Sequence, residues 1–246
     1  MSLNRRSLLK GLFACPACAA ATEAFASSWT YENAAEWGAH DEAAKACAVG
    51  SQQSPIDLTG SIPAKLDAVK FAWKPQAYEV TNNGHTVQAN AAPGAGGITI
   101  GTDEYQLLQF HFHTPSEHAV GGKRTEMEVH FVHKHASGRL AVIGVLMVAG
   151  KTHPGFAAVM ATAPKAEGKA SLAKPIDPAS FLPPKRAYYR YEGSLTTPPC
   201  SEVVDWTVLD TPIQVAASDI AAFKALFPMN ARPLQSVNRR FLLKGG

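Results

Sequence analysis

The sequence predicts a mainly β (α+β) fold: one large, mostly antiparallel twisted central sheet with short helices at its periphery. Three observations point there. Short segments rich in Val, Ile, Phe and Tyr recur along the chain, many with alternating polarity. Nineteen Gly and 17 Pro among 246 residues supply more turns than a helical bundle would use. Helical patterning is confined to two segments, too few for alternating βαβ units. A hydrophobic content of 46% against 17% charged residues permits a sizeable core and argues against disorder.

Taken in order, residues 1–26 form an export signal. Arg5-Arg6 opens a basic stretch ending at Lys10, a modestly apolar run covers 11–21, and Ala24-Phe25-Ala26 supplies an A-x-A cleavage site. The run is far too short to span a membrane. Asn4-Arg5-Arg6-Ser7-Leu8-Leu9-Lys10 resembles a twin-arginine signal, with a general secretory signal as the other reading. Either implies the periplasm and leaves 27–246 as a single domain. Cleavage lowers the net charge from +3 to +1, a balance that does not favour nucleic acid or, after signal removal, a membrane surface. It also leaves two cysteines, Cys47 and Cys200, and an even pair in an exported protein reads as a disulfide.

The clearest strands are expected over 69–73, 78–82, 97–100, 105–113, 126–134, 140–148, 187–191 and 203–209. A helix is expected from Ser218 as its cap, with Ile220, Phe223 and Leu226 on one face and Pro228 as its stop. A shorter one covers 156–163. The C-terminal stretch is expected to form a final strand and a basic tail.

The chemistry is concentrated in Gln109-Phe110-His111-Phe112-His113. Alternate side chains of a strand share a face, so His111 and His113 project together with Gln109 beside them, and Phe110 and Phe112 enter the core. A second strand carries Glu128, His130 and Val132 on one face. If the two strands are neighbours, three imidazoles converge on one point. Three histidines and an open position make a catalytic zinc site, and Gln109 and Glu128 suit the hydrogen-bonding shell that orients such ligands. His133 is expected as a hydrogen-bonded core residue, His135 as exposed, His40 and His153 in loops, and His118 as structural. One rival is a cupin, whose first metal motif also fits His111, His113 and Glu117, but the second cupin motif is missing.

Trp29-x-Tyr31, Trp37-Gly38, Gln53-Ser54-Pro55-Ile56-Asp57, Asn82-Asn83-Gly84-His85, Ser116-Glu117-His118, Tyr191-x-Gly193-Ser194-Leu195-Thr196-Thr197-Pro198-Pro199 and Asn230-x-Arg232-Pro233 flank these strands in order. With them, nearly the whole mature chain resembles the α-class carbonic anhydrases, and Cys47 with Cys200 resembles the bacterial branch. The resemblance implies a zinc enzyme that interconverts carbon dioxide and bicarbonate. His111, His113 and His130 would hold Zn²⁺, whose hydroxide attacks carbon dioxide. Thr196 would accept a hydrogen bond from that hydroxide and donate to Glu117. His85 would shuttle protons, with Tyr31 ordering water. Val132, Val142, Leu195, Thr197, Val204 and Trp206 would form the substrate pocket. Carbon dioxide, bicarbonate and water would be the partners of a monomer or homodimer. The other reading of the same residues is an inactive zinc-binding relative.

Overall fold

The computed structural model describes residues 29–39 and 41–246. The export signal and His40 lie outside the described residues. Among the described residues twelve strands form one sheet: β1 Ile62–Pro63, β2 Lys70–Phe71, β3 Glu79–Asn82, β4 Val87–Asn90, β5 Gly97–Ile100, β6 Asp103–His113, β7 Met127–His135, β8 Leu140–Ala149, β9 Gly168–Ser171, β10 Tyr188–Gly193, β11 Val204–Val215 and β12 Leu243–Gly245. The main path runs β1-β12-β10-β11-β8-β7-β6-β4-β3-β9, with β5 on β6 and β2 on β5. The pairs β8–β11 and β1–β12 are parallel and the rest antiparallel. Three helices accompany the sheet: α1 Ala46–Val49, α2 Pro154–Thr162 and α3 Ala217–Leu226.

The central strands are buried on both faces, so their side chains divide between two apolar layers. Phe110, Phe112, Val129, Phe131, Ile143 and Val145 enter the larger core, which α2 and α3 cover with Phe156 and Phe223. Val132, Val142, Val208 and Trp206 point the other way and pack with Ile56, Leu58 and Leu242. A bulge sets the phase of β6. The register against β7 slips between Leu107 and Gln109, leaving Leu108 exposed. Tyr105 and Leu107 therefore share the large core with Phe110 and Phe112, although strict alternation would put Leu107 on the face of Gln109.

Several expected boundaries move. α3 begins at Ala217 behind Ala216, whose side chain makes no capping bond, so Ser218 is inside the helix rather than its cap. The chain leaves β11 at Val215 and turns directly into the helix, so the strand exit decides where it starts. α2 begins two residues earlier than expected, because Pro154 suits its first turn and His153 Nδ1 accepts from Phe156 N at 3.2 Å. His153 is thus an N-cap. The expected basic tail is tied down instead: the Arg240 guanidinium donates to the carbonyls of Gln53, Glu192, Ser236 and Val237 and lies over Tyr191. β12 is the expected final strand, but β1, β4 and β9 were not expected at all. Each has four residues or fewer and owes its extended form to a neighbouring strand.

His133 is a neutral core residue. Its Nε2 accepts the Trp73 indole N–H at 2.9 Å, the two rings stack, and burial pushes its pKa down to about 3. His135 is half-buried rather than exposed. The unfolded chain binds a proton at His133 near pH 6.5 and the folded chain does not until about pH 3. Stability contributed by this residue is therefore full above pH 6.5 and is lost as pH falls toward 3. We expect urea unfolding to show a fall of about 1.4 kcal/mol per pH unit from His133 across that window, and a shallower slope in His133→Gln.

Candidate active site

β6 and β7 are antiparallel neighbours, with His111 opposite His130 and His113 opposite Glu128. This register brings one ring nitrogen of each of His111, His113 and His130 within 4.8 Å of the others. His113 and His130 are buried and His111 is half-buried. The remaining nitrogen of each ring faces an oxygen. His111 Nδ1 lies 2.8 Å from Gln109 Oε1, and His113 Nδ1 lies 2.7 Å from the Asn230 carbonyl. His130 Nε2 lies 3.0 Å from Glu128 Oε1, close but not well aligned. His111 Nε2, His113 Nε2 and His130 Nδ1 are left to converge. His113 Nε2 is buried without a hydrogen-bond partner, an arrangement that costs free energy unless something accepts its lone pair.

Electrostatics keep His111 and His113 neutral. Burial holds the His111 pKa well below its usual value, helped by His113 and His130. Burial also lowers that of His113, against the opposing pull of Glu117. Neutral imidazoles have free lone pairs, so the donor set fits a divalent metal that prefers nitrogen.

The carboxylates behind the cluster are fully buried. Burial works to raise the Glu128 pKa, but His118 and His130 prevail and hold it well below the carboxylate range. Glu128 also accepts from Glu117 N and His118 N, both at 2.9 Å, and from His118 Nδ1 at 2.8 Å. Gly144, opposite His130 on β8, leaves room for this carboxylate: a Cβ there would stand 2.7 Å from Glu128 Oε1. From His118 a buried chain runs through Tyr191 Oη at 2.7 Å to Ser54 Oγ at 3.0 Å and on to Ser194 N. Glu117 Oε1 accepts from Arg232 N at 2.9 Å. Its Oε2 makes no hydrogen bond and points at the cluster, 3.5 Å from His113 Nε2 and 3.8 Å from His130 Nδ1.

In front of the histidines lies a cleft of about 170 Å³. Val132, Val142, Leu195 and Trp206 form an apolar wall, while Thr196, Thr197, Gln109, Tyr31 and His85 supply polar groups. A buried triad of convergent histidines beside an apolar pocket for a small molecule is an enzyme site for metal-assisted chemistry.

The family model for eukaryotic-type carbonic anhydrase matches residues 32–244. The chain belongs to the α-carbonic anhydrases and is a carbonic anhydrase enzyme. It is 38% identical over 237 residues to a carbonic anhydrase of Neisseria gonorrhoeae, covering 95% of this chain and 94% of that one. It is 39% identical to a carbonic anhydrase of Nostoc sp., over 85% of this chain and 81% of the relative. Among solved structures, the α-carbonic anhydrase of Thermovibrio ammonificans, in complex with the inhibitor sulfanilamide, superposes with a TM-score of 0.84 at 37% identity. That match covers 87% of this chain and 96% of the other.

Membership of the α-carbonic anhydrases sets aside the cupin reading. Most of the residues singled out in the sequence come together at the cleft. Glu117 and Glu128 lie behind it, as a shell should. Val204 is fully buried and packs in the same apolar layer as Val132 and Trp206, but it is not among the residues lining the cleft. It is the first residue of β11 and pairs with Gly193, the last of β10. Tyr31 is buried among Trp29 and Trp37, and burial, with Glu117, keeps its hydroxyl protonated well above the usual range. Cys47 and Cys200 are joined, 153 residues apart in sequence. Two residues were missed as functional. Asn230 orients His113 through its carbonyl and Thr114 N through its Oδ1, and Arg232 orients Glu117. The Asn230-x-Arg232-Pro233 motif was visible, but the roles depend on main-chain atoms, which no residue type announces.

Proposed function

We propose that this carbonic anhydrase hydrates carbon dioxide reversibly at a zinc ion held by His111, His113 and His130, after export of the 27–246 domain to the periplasm. The supporting observation is the set of three histidines whose spare nitrogens converge on one point, with the outer nitrogens of His111 and His113 hydrogen-bonded and that of His130 against Glu128. Zinc bound there is a Lewis acid that brings the ionisation of water at its open position to near-neutral pH, a behaviour for which carbonic anhydrases are the standard example.

The chain's own residues supply the rest. Gln109, Asn230 and Glu128 hold the three rings in their ligating orientation. Glu117 Oε2, which has no other partner, would accept a hydrogen bond from the Thr196 hydroxyl, so that the Thr196 oxygen accepts from the attacking oxygen and the lone pair of that attacking oxygen faces carbon. Val132, Val142, Leu195 and Trp206 hold the apolar substrate and exclude competing water. His85 takes the proton released in each turnover and passes it to buffer, since an imidazole can both accept and donate near neutral pH. Tyr31, kept protonated, orders the water between.

Stopped-flow hydration of carbon dioxide, with zinc content measured on the same sample, tests the reading. We expect one zinc per chain, loss of turnover on chelation and recovery on adding zinc. A protein that holds zinc yet does not hydrate carbon dioxide would move the reading to a binding role. The His85 role has its own outcome. In His85→Ala, kcat in weak buffer should fall roughly ten-fold or more, with kcat/KM little changed and rescue by added imidazole. An unchanged kcat would remove His85 from the proton path.

A further inference from the structure

His85 follows the tight turn between β3 and β4. Asn83 Oδ1 accepts from His85 N at 3.0 Å and Thr86 N at 2.9 Å, and Asn230 Nδ2 donates to the His85 carbonyl at 3.0 Å. One face of the imidazole is covered by Trp29, with ring centroids 3.8 Å apart and planes 11° from parallel. The backbone of this residue is therefore fixed at the cleft rim and its ring is half-covered.

A carboxylate reaches the same turn from far along the chain. β9 pairs with β3 so that Gly168 lies opposite Asn82, and Asn82 Nδ2 donates to the Pro164 carbonyl at 3.0 Å. These contacts lay 164–168 alongside the turn and place Glu167 over Gly84. A Cβ on Gly84 would stand 2.9 Å from Glu167 Oε1 and 3.2 Å from its Cδ, and the turn holds Gly84 at φ +83°. Glu167 is exposed and takes part in no ion pair among the described residues. Its neighbour Lys169 is engaged with Glu79 at 2.9 Å, and Lys165 is exposed. Across the cleft, the titratable groups are Tyr31 and the three clustered histidines. Glu167 is thus the negative charge placed against the His85 turn.

We propose that Glu167 is a positioning residue for proton release, its carboxylate stabilising the His85 imidazolium and so setting the pH range over which His85 relays protons. Burial alone pulls the His85 pKa down, and the charge of Glu167 acts against that pull. Without it, His85 would be a weaker base and a poorer acceptor for the proton leaving the cleft. Glu167 exchanges no proton itself: the proton moves from cleft water to the His85 ring nitrogen, then to a buffer base at the rim. The inference rests on the reading of His85 as the relay.

The test uses the zinc-loaded protein with Glu167→Gln, Glu167→Lys, Glu167→Asp and His85→Ala. The His85 ring proton is identified in NMR spectra by its loss in His85→Ala, and its titration is followed in the others. We expect its pKa to fall by about half a unit in Glu167→Gln, further in Glu167→Lys and little in Glu167→Asp, with the differences shrinking in about 0.5 M salt. The kcat pH profile should move to lower pH by the same amount, with kcat/KM unmoved. A His85 titration identical in wild type, Glu167→Gln and Glu167→Lys overturns the proposal, even if those variants are less stable. A titration that moves while His85→Ala keeps full kcat in weak buffer overturns the relay reading, and the role of Glu167 in catalysis with it.

Discussion

Glu117→Gln is expected to lower carbon dioxide hydration by about 10²–10³-fold, roughly 3–4 kcal/mol of transition-state stabilisation, while zinc stays bound. The two side chains have the same shape, but their hydrogen-bonding sense differs. Glu117 Oε1 accepts from Arg232 N at 2.9 Å, and a glutamine keeps that bond only by placing its carbonyl oxygen there. Its NH₂ then occupies the place of Oε2, the atom that has no partner in the structure and faces the histidine cluster. An NH₂ donates where a carboxylate accepts. Thr196 would have to accept from it and turn its own proton toward the attacking oxygen, which reverses the orientation the reaction needs. The alternative amide rotamer restores the acceptor but sets NH₂ against the Arg232 N–H. The three histidines are untouched in either case, so the fall should appear equally in kcat and kcat/KM. Metal analysis and stopped-flow kinetics on one preparation decide it. Full activity would remove Glu117 from the mechanism, and loss of zinc would make it a ligand.

Removing the Cys47–Cys200 disulfide is expected to cause a large loss of stability. The bridge closes a loop of 153 residues, for which chain entropy alone sets a ceiling of about 5 kcal/mol. For a domain of this size that ceiling corresponds to a fall in Tm of at most roughly 10–20 °C. The consequence should extend to catalysis, because the two cysteines belong to segments that build the site. Cys200 N donates to Thr197 O at 2.9 Å, which closes the turn carrying Thr196 and Thr197. Gln53 Nε2 donates to the Cys200 carbonyl at 3.0 Å. Arg232, whose main-chain N–H orients Glu117, sends its guanidinium to Gln53 Oε1, Ser54 O and Cys47 O. Cutting the bridge loosens both the turn that carries Thr196 and the Arg232 support of Glu117. Thermal unfolding and kinetics of the Cys47→Ser/Cys200→Ser double variant measure both effects. An unchanged Tm would mean that these hydrogen bonds hold the loop without help.

The sequence by itself determined the elements whose geometry is local. A strand repeats every two residues, so His111 and His113 had to share a face with Gln109, and Phe110 and Phe112 had to leave it. The same rule set His130 beside Glu128 and opposite His133, and the structure keeps all of these. The long central strands were legible because they are apolar along their length. The short strands β1, β4 and β9 were not, since only pairing with a neighbour makes them extended.

Tertiary structure decided what depends on residues far apart in the chain. It made β6 and β7 neighbours and chose the register that sets His111 against His130. It placed the bulge at Leu108 that brings Leu107 into phase with the core. It brought Asn230 to His113, 117 residues away, and Arg232 to Glu117, 115 residues away, through main-chain atoms that every residue possesses. It buried Val204 in the apolar layer away from the cleft lining, and it brought Glu167 to the turn beside His85. The division has one physical cause. Backbone stereochemistry fixes which way neighbouring side chains point, and that is written in the order of residues. Which distant segments meet follows from the packing of the whole core.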